Sequence, residues 1–79
     1  MYLSISGFLP DENEDDSLKF DRDLKESYNS RILQLLGHRS LNAMAEGEWL
    51  LTKEQVIELS QIIGESLPTD LDLYIGVLA

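Results

Sequence analysis

A chain of 79 residues with 43% apolar content has enough clustered hydrophobic material to fold, and is not an acidic disordered tail. Its 15 acidic side chains outnumber 6 basic ones, a net charge of −9, which weighs against nucleic acid and anionic membranes as partners, since phosphate contacts need clustered Lys and Arg. The absence of cysteine excludes disulfides and thiolate zinc sites.

The length predicts one domain spanning 1–79, with a thin core: a chain of this size buries roughly 60% of the surface its unfolded form exposes. No apolar run reaches the ~18 residues of a spanning helix. The first ten residues lack the basic start and cleavage site of a signal peptide, so the expected location is cytoplasmic.

In chain order, residues 2–9 alternate as a strand. Leu3, Ile5 and Leu9 fall on one face, and Tyr2, Ser4, Ser6 and Phe8 on the other. Pro10 ends it. The run 11–16 follows, with five carboxylates in six positions, and reads as a turn or loop. Residues 17–24 alternate again, with Leu18, Phe20 and Leu24 on one face and Lys19, Asp21 and Asp23 on the other. Arg22 interrupts the apolar face, as it would near a sheet edge. The two strands suit an antiparallel hairpin with a wide acidic connection.

Residues 26–36 read as a helix through Tyr28, Ile32, Leu35 and Leu36, with Gly37 just past its end. Residues 38–47 are less regular, with Leu41 and Met44 available to the core. A short strand is expected at 48–51. Thr52 with Gln55 three residues on forms a capping box for a helix over 53–63, which buries Val56, Leu59, Ile62 and Ile63 and ends at Gly64. Pro68 and Asp70 mark a loop. Residues 71–78 form the last strand, with Leu71, Leu73, Ile75 and Val77 on one face and Asp72, Tyr74 and Gly76 on the other. The predicted fold is α+β: an antiparallel, mostly four-stranded sheet in the order β-β-α-β-α-β, with two helices on one face.

Motifs that carry chemistry are missing. Asp11-x-Asn13-x-Asp15 opens like a calcium loop, but Asp16 stands where the turn needs glycine and Arg22 where a bidentate Glu belongs. The run is read either as a solvated hairpin loop or as one placed for a basic partner. His38, the single histidine, follows a helix end, where a cation is mildly favoured. No nucleophile elbow, paired metal histidines or phosphate-binding glycine loop is present, so no cofactor, no metal and no enzyme activity are expected. Alternation in Glu48-Trp49-Leu50-Leu51 leaves open whether Trp49 is core or a contact anchor.

The face away from the apolar set would carry Tyr2, Ser4, Ser6, Phe8, Asp21, Asp23, Asp72 and Tyr74. Tyr2, Phe8 and Tyr74 there suit either ordinary cross-strand packing of exposed aromatics or, together with the acids, a face that recognises a basic protein.

In order along the chain stand a strand ending in Phe8, the acidic stretch 11–16, and an acidic strand around Phe20-Asp21 and Asp23. After them come the helix end Leu36-Gly37 and the closing strand Leu71-Asp72-Leu73-Tyr74-Ile75. This pattern of charge and strand order covers most of the chain. It resembles the cloacin-type immunity proteins and the small related immunity proteins of interbacterial toxin systems. The resemblance implies an acidic domain on an antiparallel sheet that binds and neutralises a basic ribonuclease toxin domain through its open sheet face. It implies Asp21, Asp23, Asp72 and Tyr74 as contacts, and the sheet-face pattern adds Phe8 to them. Glu12, Glu14, Asp15 and Asp16 would act as steering or rim charges. The chain departs from that family in ending Gly76-Val77-Leu78-Ala79 rather than in acidic and aromatic residues, and in the regularity of its 53–63 helix. Two other readings remain: a phage-type acidic nucleic-acid mimic, and a small non-inhibitory regulatory subunit.

Overall fold

The computed structural model describes residues 1–10 and 17–78. Alternation along the chain becomes a four-stranded antiparallel sheet of β1 (Tyr2–Phe8), β2 (Phe20–Asp23), β3 (Trp49–Leu50) and β4 (Asp72–Leu78), in the spatial order β2-β1-β4-β3. The two central strands come from opposite ends of the sequence and pair along their whole length, from Tyr2↔Leu78 to Phe8↔Asp72. They are also the strands with the cleanest alternation. Leu3, Ile5, Leu73 and Ile75 fall on one face, and none is more than 1% exposed. β2 pairs with β1 through Ser4↔Asp23 and Ser6↔Asp21. Backbone hydrogen bonds from Lys19 N to Gly7 O and from Leu24 N to Leu3 O, each 2.8 Å, continue the ladder past both ends of β2.

Two helices cover the face that carries these four residues. α1 (Asn29–Leu36) follows a single 3₁₀ turn, Glu26–Tyr28, so the helix expected over 26–36 is a tight turn and then an α-helix. Lys25, at the start, provides no side-chain cap, and the opening turn closes by Tyr28 N donating to Lys25 O at 3.0 Å. A four-residue helix, α2 (Leu41–Met44), lies in the stretch where the sequence shows no clear period. Ser40 caps it by accepting from Ala43 N at 3.2 Å. α3 (Lys53–Ile63) has the predicted bounds. Its capping box is complete: Thr52 Oγ1 accepts from Gln55 N at 3.1 Å, and Thr52 N donates to Gln55 Oε1 at 2.9 Å. Gly37 and Gly64 end α1 and α3 at φ 77° and 70°, in the left-handed region where glycine lacks the Cβ penalty.

Ile32 of α1, Met44 of α2, and Val56 and Leu59 of α3 pack with the four sheet residues into one cluster, closed by Leu24, Leu51 and Leu67. Full burial of each such side chain contributes about 1.5–3 kcal/mol. Ser60 holds the return from α3 in place: its Oγ donates to Val56 O at 2.8 Å and accepts from Leu67 N at 3.3 Å.

Leu18 departs from expectation, Ile62 and Ile63 of α3 are half-buried rather than buried, and Trp49, left open by the alternation, takes an intermediate place. Leu18 precedes β2 and is 50% exposed, so it does not join Phe20 and Leu24 in the core. The short reach of β2 leaves it on the rim of the opposite face. Trp49 is neither sealed core nor free anchor. It stands opposite Ile75 at the sheet edge, 38% exposed. Its Nε1 donates to Met44 O at 2.9 Å, and its ring centroid lies 4.7 Å from that of His38. His38, just past the end of α1 as expected, also packs against an aromatic ring.

Candidate partner-binding face

With α1 and α3 on one side, no helix among the described residues lies over the other side of the sheet. The strand register decides what it carries. One row runs Asp23, Ser4, Gly76 across β2, β1 and β4; the next runs Asp21, Ser6, Tyr74, Leu50 and reaches β3. Phe8 faces Asp72 beyond them, and Tyr2 faces Leu78 at the other end. The alternation therefore places Tyr2, Ser4, Ser6, Phe8, Asp21, Asp23, Asp72 and Tyr74 on one surface. The predicted steering charges Glu12, Glu14, Asp15 and Asp16 lie outside the described residues.

The side chains on this face are ordered by one another. Ser4 Oγ donates to Asp23 Oδ1 at 3.0 Å and lies 3.4 Å from Asp21 Oδ1, so one hydroxyl sits between two carboxylates. That position buries Ser4 although it lies on the uncovered face. A hydroxyl has one proton to give, so both carboxylates, which are exposed, keep lone pairs for outside donors. Phe8 and Tyr74 meet edge to face, with centroids 5.9 Å apart at 72°. Such a pair presents a rigid apolar surface with the Tyr74 hydroxyl beside it.

Arg22 shows how the sheet separates charge. It points to the helix-covered side, opposite Ile5 in register, and forms an ion pair with Glu65. The strand that gives Asp21 and Asp23 to the open face thus directs its own cation to the far side.

Glu48, Leu50 and Leu78, which the alternation does not assign to this face, and Leu18, which it assigns to the opposite one, also belong here. Glu48 stands beside Gly76: a Cβ built at Gly76 would lie 3.3 Å from Glu48 Cγ. Leu18, Leu50 and Leu78 are 50%, 57% and 44% exposed. A two-residue strand has no periodicity of its own, so the side taken by Glu48 and Leu50 depends on pairing with β4. Between the strands lies a trough of about 380 Å³, lined by Ser4, Ser6, Leu18, Asp21, Glu48 and Gly76 among others.

Among the described residues no group of three or more His, Asp and Glu side chains could hold a metal ion, and no helix is long and apolar enough to cross a membrane. Asp11, Asn13 and Asp15 lie outside the described residues. Comparison of the chain with family models, with curated proteins and with solved structures gave no match.

Proposed function

We propose that this chain is an immunity-type inhibitor that binds and neutralises a basic toxin domain, with a ribonuclease as the toxin, in the cytoplasm. It acts by binding rather than catalysis. The observation that carries this reading is the uncovered sheet face, on which Asp21, Asp23, Glu48 and Asp72 share one surface with Tyr74 and Phe8. A ribonuclease must hold phosphates, so its substrate surface is basic. An acidic face complementary to that surface is steered to it and occupies the place the RNA needs. The net charge of −9 favours the same encounter.

The test is co-expression with the tagged product of the adjacent gene, followed by an RNA-cleavage assay on the purified toxin domain. Stoichiometric co-purification and loss of cleavage are expected. Full cleavage at a tenfold excess of this protein, with no co-purification, rules the reading out.

A further inference from the structure

The uncovered sheet face is acidic, and part of it is concave. The floor of the trough is made of small residues, Ser4, Ser6 and Gly76 from the two central strands. Asp21 rises on the β2 side and Glu48 on the β3 side, while Leu18 and Leu78 stand exposed at the rim. Neighbouring strands lie about 4.8 Å apart, which puts the β2 and β3 backbones roughly 14 Å from each other. Glu48 leans inward over Gly76, as its 3.3 Å approach to a Cβ there shows. Among the described lining residues there are two carboxylates and no Lys, Arg or His.

We infer that this trough seats one arginine side chain of the protein that docks on the sheet, with Leu18 and Leu78 meeting the apolar residues beside it. The inference rests on the reading of the sheet as a partner-binding face. Charge complementarity selects a cation: two acids line the trough, and none of its described lining residues is basic. Its geometry selects arginine over lysine. A guanidinium has five donors in a plane and is weakly hydrated, so it can span two carboxylates and the serine hydroxyls at once. An ammonium is a compact, strongly hydrated point charge that would satisfy one wall. The floor has to be small, since a bulkier residue at position 6 or 76 would fill the space between the walls.

The experiment is an amide-resolved NMR titration of the full chain with the N-acetyl, N-methylamide derivative of arginine, beside the same derivatives of lysine and citrulline. Affinity on the order of a millimolar is expected for so small a ligand. Saturable shifts should concentrate on Ser4, Ser6, Glu48 and Gly76. The lysine derivative should bind at least threefold more weakly, and the uncharged citrulline derivative should give no saturable shift. Glu48→Gln should weaken arginine binding at least threefold, and Ser6→Val should remove the localised shifts. Glu54→Gln, which removes the same charge from the exposed surface of α3, should leave them as they are. The amide spectrum of each variant shows whether it is folded. Shifts centred on 11–16, shifts spread over all acidic positions, or equal binding of lysine or citrulline would overturn the assignment. Localised binding without toxin capture leaves the trough standing and removes the immunity reading. Toxin capture without localised binding does the reverse.

Discussion

At residue scale, the two strand glycines have opposite surroundings, and the difference can be measured. A Cβ at Gly7 would lie 2.8 Å from Phe20 Cβ and 2.9 Å from Leu73 Cδ2, so the core side of the sheet has no room for it. Gly7→Ala should cost about 1–3 kcal/mol, the usual cost of overpacking. A Cβ at Gly76 meets only the flexible side chain of exposed Glu48. Gly76→Ala should therefore stay within about 0.5 kcal/mol of the parent, as most surface substitutions do. Urea unfolding checks both: the Gly7→Ala midpoint should fall clearly and the Gly76→Ala midpoint should hold, with the slopes unchanged. Equal losses in the two variants would mean that the space around each Cβ does not set the cost, since the entropy change from glycine to alanine in a strand is itself favourable.

At the scale of elements, helix α3 depends on its cap more than α1 does, because the capping box fixes its first turn while α1 begins without a side-chain cap. Thr52→Ala should lower stability by about 1 kcal/mol, which for a domain of this size is a fall in Tm of roughly 4–8 °C. A calorimetric melt decides it, and an unchanged Tm would show the cap to be redundant with packing. The same cap explains why this helix is legible in the sequence. Thr52, Gln55 and Gly64 mark its ends, and Val56 and Leu59 mark its buried side. Strands β1 and β4 are legible because seven alternating residues define a face. Helix α2 is not, since four residues are too few to show a period, and the short strand expected at 48–51 is present as β3 but is too short to show which side its residues take. Leu18 is misplaced for a related reason: alternation gives the side of a strand but not where the strand stops. The site divides in the same way. Asp21, Asp23, Asp72 and Tyr74 lie on strands with a readable period, whereas Glu48 takes its place only from pairing across to β4.

On the scale of the whole molecule, charge acts in two ways that kinetics separates. The field of a net −9 extends over about one Debye length, roughly 8–10 Å at physiological salt. It speeds encounter with a basic partner without needing any particular contact. Changing Glu12, Glu14 and Asp15 together to neutral residues removes three of the 15 acidic side chains. It should mainly slow association with the captured toxin domain, and the effect should shrink as salt rises. Asp21 and Asp23 act at short range. They lie on the uncovered face beside the Ser4 hydroxyl, where a docked partner would desolvate them. Asp21→Ala or Asp23→Ala should mainly speed dissociation, because the partner's basic group is left buried and unpaired at a cost of about 2–5 kcal/mol. Glu54→Ala is the control on the helix-covered side and should change neither rate beyond a small loss of steering. Surface-immobilised kinetics at two salt concentrations measures all three classes. On-rate loss confined to the triple variant and off-rate gain confined to positions 21 and 23 are the expected results. If all variants keep the parent rates, the acidic face serves solubility alone, and the toxin docks elsewhere or not at all.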